Sequence, residues 1–275
     1  MTTQHDKAHV FHGLHHAQET LILLNAWDAA SARIFEVAGA KAIATTSAGV
    51  ANALGFPDGE HVGRALMLEA VGRIVNAVDI PVSVDLEMGY GSTVDEVCRS
   101  VEAVIDLGGV GINIEDGLRD PVLLVDRITA IRERAASRGV TVFVNARTDV
   151  YLRGTGEPAA KFADAVHRLR LYAEAGADGV FAPGLADPDT IHRLVREVDR
   201  PLNILGGAGV PPLKELERLG VARLSVGSGP MRATMALTRT IAEQLLHSGI
   251  DSLMVQDALS PAEANGMFRR TPAAP

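Results

Sequence analysis

The chain has 275 residues, of which 47% are hydrophobic and 22% charged, and its formal net charge is −8. This length suits one α/β barrel domain or two smaller domains, and the negative charge without a lysine or arginine run argues against nucleic acid and membrane as partners. We expect a cytoplasmic protein, because Cys98 is the single cysteine and the N-terminus lacks the layout of a signal peptide.

Short apolar segments alternate with longer amphipathic ones along the chain, which is typical of repeated βα units. Eight strands are predicted, at residues 21–25, 41–45, 81–85, 110–114, 141–145, 178–182, 201–205 and 222–226. Helices are predicted between them, for example at 61–78, and another at 260–270. Eight such units predict a (β/α)8 barrel. An open doubly wound sheet is the alternative, but NAWDAASA after the first strand has no glycine-rich nucleotide-binding turn.

We therefore predict one barrel domain over residues 1–275, with a C-terminal helical extension at 250–275. The extension is longer than a barrel needs. It carries enough apolar residues to pack on a neighbouring subunit.

Acidic residues stand at the ends of two neighbouring predicted strands. Asp85 and Glu87 share one face at the end of strand 81–85, and Glu115 follows strand 110–114. Ionised carboxylates in a buried place are costly unless something compensates them. A hard divalent cation is the economical explanation, which predicts a Mg²⁺ site, with Mn²⁺ as a substitute. The alternative is structural ion pairing with Arg147 and other arginines.

Residues at the C-terminal ends of the strands carry catalysis in such barrels. Arg147 lies just after the fifth predicted strand and offers a planar fork that matches a carboxylate or phosphate. A metal beside it suits a 2-oxo acid or an enol phosphate, because the metal can polarise the carbonyl or enolate oxygen. The turns GGAG (206–209) and GSGP (227–230) either cradle phosphate with their amides or are simply tight turns.

The chain resembles the isocitrate lyase/phosphoenolpyruvate mutase superfamily in four ordered segments: NAWDAASARIFEVAGAKAIATTSAGVANALGFPDGE, SVDLEMGYG, GINIEDG and VNARTDVYL. The resemblance extends over about residues 25–230. It implies a (β/α)8 barrel that binds Mg²⁺ and makes or breaks C–C or C–P bonds through the enolate of a 2-oxo acid. It also implies a homodimer or homotetramer that exchanges a C-terminal helix.

By this resemblance, Asp85 is the principal metal ligand, largely through water, with Glu87, Glu115 and Asp58 around it. Ser47 and the amides of Ala48 and Gly49 would hold the substrate carboxylate or oxyanion. The full predicted set comprises Asp58, Glu115 and Arg147 as catalytic residues, Trp27, Ser47, Ala48, Gly49, Asp85, Asn113 and Arg147 as substrate-binding residues, and Asp85, Glu87 and Glu115 as metal ligands.

The loop after the fourth strand departs from the superfamily's lyases. They carry a Lys-(Lys/Arg)-Cys-Gly-His motif whose cysteine supplies a proton, whereas this loop reads GLRDPVLL, without Cys, His or Lys. The His-Ser pair expected of the mutases at the sixth strand is replaced by Ala182 and Pro183. A standard isocitrate or methylisocitrate lyase is therefore not expected. Decarboxylation of oxaloacetate asks for less, because CO₂ leaves and water can protonate the enolate.

The sequence thus predicts a Mg²⁺-dependent carbon–carbon lyase or decarboxylase that acts on a small, oxaloacetate-like 2-oxo acid through a metal-stabilised enolate. One alternative is a C–P bond enzyme of the phosphonopyruvate or phosphoenolpyruvate type, and another is a non-catalytic barrel that binds a 2-oxo acid. The general acid or base is left open, with Tyr90, Asp58 and His61 as candidates.

Overall fold

The computed structural model describes residues 3–249, 252–256 and 258–268. Its eight parallel strands pair in sequence order and close into a barrel, with β8 beside β1. The strands are β1 Leu21–Ala26, β2 Ile43–Thr45, β3 Val82–Asp85, β4 Gly111–Glu115, β5 Phe143–Arg147, β6 Gly179–Phe181, β7 Leu202–Leu205 and β8 Arg223–Ser225. The predicted (β/α)8 barrel is confirmed, and every predicted strand is present with its ends shifted by at most two residues.

Helices follow the strands and surround the barrel. They are α1 Gln4–Leu14, α2 Ala29–Val37, α3 Ser47–Ala53, α4 Arg64–Ala77, α5 Val94–Asp106, α6 Pro121–Ser137, α7 Pro158–Glu174, α8 Pro188–Glu197, α9 Leu213–Leu219, α10 Gly229–Ser248, α11 Ser252–Gln256 and α12 Pro261–Met267. The predicted helix at 61–78 is α4, and the one at 260–270 is α12, with residues 269 and 270 outside the described part. Among the helices described, none is long and apolar enough to span a membrane.

Two apolar clusters form the core. The larger lies between strands and helices, and the smaller fills the N-terminal half of the barrel interior. Helix α1 closes that end, because its Phe11 is fully buried and meets the ring of Phe143 edge-on at 5.5 Å. Glycine is required at position 179, where a Cβ would lie 2.9 Å from the Phe143 ring. The polar interior residues are consequently collected towards the opposite, C-terminal end of the barrel.

The connection between β4 and α6 is short. Strand β4 ends at Glu115 and α6 begins at Pro121, so residues 116–120 are the whole loop. Helix α6 starts here because Asp120 caps it, accepting a bond from Val122 N, and proline suits the first helical position. The sequence-based expectation of a short loop at this place agrees with the structure.

The C-terminal extension is described in part, since residues 250, 251, 257 and 269–275 lie outside the described residues. Helix α12 packs against α2 of its own barrel, where Arg33 Nε donates to the Met267 carbonyl at 2.6 Å. Exchange of this segment between subunits is not shown and stays a prediction.

Candidate active site

Asp85 ends β3 and is bound to the first residue of α3. Both the backbone N–H and the Oγ of Ser47 donate to Asp85 Oδ2, at 3.1 and 2.8 Å. The amide of Asp85 itself donates to Thr45 Oγ1 at 2.9 Å. These bonds fix the carboxylate at the mouth of the barrel, and since both from Ser47 reach Oδ2, they leave Oδ1 for another ligand.

Glu87 is buried and held by two donors to one oxygen. Its Oε1 accepts from the Tyr90 hydroxyl at 2.7 Å and from the Glu60 amide at 3.2 Å. Burial, and then the charges of Asp85 and Asp58, raise the pKa of Glu87 to about 7, although the Tyr90 bond opposes this. The carboxylate is therefore poorly compensated by the protein alone.

Backbone strain is concentrated around Glu87. Glu60, Glu87 and Tyr90 all have positive φ angles, of 65°, 49° and 51°, without being glycine. They are also bonded to one another, because the Tyr90 amide donates to Glu60 Oε1 at 2.7 Å. Strain of this kind is retained where the surrounding structure over-determines a conformation, commonly at functional sites.

Tyr90 is a candidate general base from the sequence, but in the structure it acts as a hydrogen-bond donor. Burial and the charge of Glu87 raise the pKa of its phenol. The hydroxyl keeps its proton and donates it in the bond to Glu87. Tyr90 thus supports a carboxylate and is a poor general base.

Arg147 ends β5 and joins two buried carboxylates. Its Nη1 lies 2.7 Å from Glu115 Oε2, and its Nε lies 2.7 Å from Asp149 Oδ1. Burial raises the pKa of Glu115 to about 8, the cation of Arg147 opposes this, and the charges of Asp149, Asp85 and Glu87 add to it. The structural ion pair envisaged from the sequence therefore exists for Glu115. Within the described chain, neither Asp85 nor Glu87 has such a pair.

Trp27 and the start of α3 adjoin each other beside this cluster. Gly49 has no room for a side chain, because a Cβ would lie 2.6 Å from Thr46 Cγ2 and 3.0 Å from Trp27 Cβ. The Gly49 amide donates to Thr46 Oγ1 at 3.3 Å, and Ala48 is half-buried between Ser47 and Gly49.

Asp58, another predicted site residue, lies at the protein surface. It is exposed in the loop between α3 and α4, and its charge still reaches Glu87. Among the described residues it forms no hydrogen bond to the carboxylate cluster.

Residues 11–246 match the model of the phosphoenolpyruvate phosphomutase family. The chain belongs to this family. The resemblance to the isocitrate lyase/phosphoenolpyruvate mutase superfamily is thereby confirmed. An uncharacterized protein from Mycobacterium tuberculosis is 40% identical over 228 residues, which are 81% of this chain and 83% of that protein.

Two further similarities bear on the chemistry of this phosphomutase family. A crystal structure from Burkholderia cenocepacia, provisionally assigned as a phosphonomutase, is 42% identical, covers 87% of this chain and 100% of its own, and has a TM-score of 0.84. An oxaloacetate decarboxylase from Bradyrhizobium sp. is 27% identical over 232 residues, which are 80% of this chain and 77% of that enzyme. Members of the family are lyases or mutases.

In this family member the loop after β4 is held in place by hydrogen bonds to the side chain of Asp116. Its Oδ1 accepts from the amides of Leu118 and Asp149, and its Oδ2 accepts from Thr148, Tyr172 and Arg168. All of these bonds are 2.7 to 3.2 Å long. Asp116 is therefore saturated by the protein and is not available as a metal ligand.

The glycine-rich turns after β7 and β8 use several of their amides internally. Val226 N and Gly227 N both donate to Asn25 Oδ1 at 2.9 Å. Gly206 N donates to the Ser225 carbonyl at 2.7 Å. Gly206 N and Gly227 N, the two of these amides that belong to the turns, are therefore not free to bind phosphate.

Asn113 precedes Glu115 by two residues on β4 and pairs in register with Asp85. Its side chain contacts Arg223, a residue that the sequence analysis did not single out. Its Oδ1 accepts from Asn145 Nδ2 at 2.9 Å and from Arg223 Nη2 at 3.2 Å. Arg223 is fully buried inside the barrel. The signal was present, since an arginine inside a predicted core strand is as anomalous as an aspartate at its end.

The donor atoms that the protein leaves unused fit a hard cation. The bonds above do not use Asp85 Oδ1, Glu87 Oε2 and Glu115 Oε1, and all three are carboxylate oxygens. In the part of the chain that the structure describes, no three His, Cys, Asp or Glu side chains converge closely enough to hold a metal by themselves. A cation here would contact few carboxylates directly and the others through water, an arrangement that Mg²⁺ tolerates well.

Proposed function

We propose that the protein is a Mg²⁺-dependent lyase that acts on a small, oxaloacetate-like 2-oxo acid through an enolate. The observation that carries the proposal is the group of Asp85, Glu87 and Glu115 beside Arg147. Asp85 is half-buried and Glu87 is buried, and the two carboxylates repel each other. Neither forms an ion pair with a described residue. Mg²⁺, or Mn²⁺ in its place, would supply Lewis-acid stabilisation of the negative charge that develops on the 2-oxo group.

The residues then have distinct parts in this reaction. Asp85 would hold the cation, and Glu87 and Glu115 would hold it through water. Arg147 binds the substrate carboxylate with the side of its guanidinium that Glu115 and Asp149 do not occupy. The start of α3, from Ser47 to Gly49, and Trp27 would line the substrate site, because Ser47 is bonded to Asp85 and Gly49 adjoins Trp27.

The reaction asks for little beyond charge stabilisation. The bond to the leaving carboxylate breaks, its electron pair stays on the enolate of pyruvate, CO₂ departs, and water returns one proton to carbon. This agrees with a β4–α6 loop that has no cysteine, histidine or lysine. The 27%-identical oxaloacetate decarboxylase supports the same substrate class.

A C–P bond enzyme is the second candidate. The 42%-identical structure, provisionally assigned as a phosphonomutase, favours it. The apolar pair Ala182 and Pro183 at the end of β6 argues against it, because neither side chain can bond to a phosphonate.

The first experiment is to follow oxaloacetate by NMR with Mg²⁺ and then with EDTA, corrected for the rate with metal alone. Metal-dependent enzymatic formation of pyruvate supports the proposal. Absence of turnover on oxaloacetate together with turnover of phosphonopyruvate would support the C–P candidate. Saturable binding of pyruvate with neither turnover would indicate a binding protein.

We also propose that the chain is a single cytoplasmic domain that assembles as a homodimer or homotetramer through residues 250–275. Helix α10 is exposed along nearly its whole length, and its Leu237 and Leu246 are 50% and 85% exposed. Light scattering of the full chain, and of a chain ending after Gly249, tests this. If the full chain and the shortened chain form assemblies with the same number of protomers, the proposal is contradicted.

A further inference from the structure

Arg223 is a buried cation beneath the carboxylate cluster. It lies on β8 with 0% exposure, and its side chain points into the barrel. Nε donates to Ser225 Oγ at 3.0 Å, and Nη2 donates to Asn113 Oδ1 at 3.2 Å. Nη1 has no hydrogen-bond partner among the described residues. The guanidinium is thus bonded to neutral groups alone.

A cation in this place is expensive. Transfer of a guanidinium from water to the protein interior is unfavourable by several kcal/mol unless a counter-ion or full hydrogen bonding compensates for the lost hydration. No described carboxylate lies within ion-pair distance of Arg223. His15, the nearby titratable group of α1, is kept neutral in its turn, because burial and the charge of Arg223 lower its pKa to about 3.

The charge of Asp85 partly compensates the buried cation of Arg223. Burial lowers the pKa of Arg223 to about 9, and the charge of Asp85 works in the opposite direction and favours the cation. Asp85 pairs in register with Asn113, and Asn113 Oδ1 is the acceptor that Arg223 shares with Asn145. Arg223 is the first residue of β8, whereas Asp85 and Glu115 are the last residues of β3 and β4, so the positive charge lies deeper in the barrel than the proposed metal and substrate sites.

We propose that Arg223 is an electrostatic positioning residue, which stabilises the negative charge of the bound 2-oxo acid from below and orients Asn113 towards it. The inference rests on the proposed function. A fixed charge in a water-excluded barrel acts strongly and needs no reorganisation when the enolate forms. The same charge repels a divalent cation, so Arg223 favours the anionic ligand at the expense of the metal.

Because Arg223 should favour the anion and disfavour the cation, its removal should change the two affinities in opposite directions. A purely structural role would not have this effect. Arg223→Met and Arg223→Gln remove the charge, and Arg223→Lys keeps it. Titration calorimetry would measure the Kd of Mn²⁺ alone, and then the Kd of oxalate, a planar dianion shaped like an enolate of pyruvate, at saturating Mn²⁺. Circular dichroism would confirm that each variant is folded.

Opposite shifts are expected in the charge-free variants. Mn²⁺ should bind at least about threefold more tightly and oxalate about tenfold more weakly, because removing one charge changes the two interactions with opposite sign. Arg223→Lys should keep both constants within about twofold of the wild type. If neither charge-free variant folds, wild-type constants in Arg223→Lys support the proposal and a loss of both ligands overturns it.

Two other results would overturn it. Parallel weakening of both ligands in Arg223→Met, or no change in either, would assign Arg223 a structural part only. A wild-type protein that binds no Mn²⁺ would refute the proposed function and this inference with it. A wild type that binds Mn²⁺ while Arg223→Met behaves identically would refute the inference alone.

Discussion

The Tyr90 hydroxyl donates a 2.7 Å hydrogen bond to Glu87 Oε1. With the Glu60 amide on the same oxygen, this bond holds the Glu87 carboxylate in one orientation before any cation arrives. Glu87 itself stands at a φ of 49°, so its backbone also depends on these contacts. Pre-orientation of a ligand by its neighbours is a recurrent way of tuning metal affinity.

Tyr90→Phe should therefore weaken metal binding while leaving the fold intact. We expect the Kd of Mn²⁺ to rise about tenfold, since a hydrogen bond to a charged group is worth about 1.5–3 kcal/mol. Titration calorimetry measures the change. The matched control is Tyr151→Phe, which removes a buried hydroxyl that has no described partner. Similar changes in both variants would contradict the part assigned to Tyr90.

Asp85→Ala should abolish Mg²⁺-dependent turnover without unfolding the protein. Asp85 forms no ion pair with a described residue, and Arg147 keeps both of its partners when Asp85 is removed. The substitution also removes the charge that favours the buried cation of Arg223, so we expect a lower melting temperature but a folded protein. Activity assays and thermal unfolding measure the two effects. Asp199→Ala, at a fully exposed position, is the control for loss of one negative charge. Undiminished turnover in Asp85→Ala would rule out Asp85 as the metal ligand.

Arg147→Lys should weaken the binding of 2-oxo acids. Lysine keeps the charge beside Glu115 and Asp149 and loses the planar fork that matches a carboxylate. We expect the Kd of pyruvate to rise about tenfold, as for loss of one charge-assisted bond. Arg153→Lys is a close control, because Arg153 is half exposed and faces Asp149 from the other side at 3.2 Å. Unchanged pyruvate affinity in Arg147→Lys would remove Arg147 from the binding pocket.

His15 should make the fold sensitive to acid. Its ring stacks on Phe143 at 3.9 Å, and its pKa is lowered from 6.5 to about 3, chiefly by burial. The folded protein thus keeps His15 neutral where the unfolded chain takes up a proton. Stability is full above pH 6.5 and falls as the pH drops from 6.5 towards 3, by about 2 kcal/mol at pH 5 from this group.

Urea unfolding at pH 7 and pH 5 measures this contribution. The loss of stability between the two values should be smaller in His15→Gln than in the wild type by about 2 kcal/mol. The exposed neighbour His16 provides the control variant, His16→Gln, which should keep the full loss. An identical loss in His15→Gln and the wild type would show that His15 does not titrate on unfolding.

Local patterns were sufficient to locate the strands and the acidic residues at their ends. Asp85, Glu87, Glu115 and Arg147 stand out because polar residues interrupt apolar strands, and the parallel order of the strands brings their ends together. The same rule applied to VARLSVG would have flagged Arg223. The predicted metal ligands were taken from the resemblance to the superfamily, and their roles as ligands remain proposals.

Partners across the barrel could not be inferred in this way. Glu60 and Glu87 are 27 residues apart, and Arg223 and Asn113 are 110 residues apart. Nothing local to either residue shows that Tyr90 would donate to Glu87 and not act as a base. Its hydrogen bond depends on three left-handed backbone positions, which arise from the packing of two loops.

The sequence by itself determined the class of fold, the superfamily, the end of the barrel that carries the polar residues and the absence of the lyase cysteine from the loop after β4. These follow from periodicity, composition and motif order, which are local properties. The tertiary structure alone decided which carboxylates are paired, which are left for a cation, and where the buried charge of Arg223 lies. Hydrogen bonds and Coulomb forces depend on distance in space, and closure of the barrel sets those distances only when all eight strands are in place.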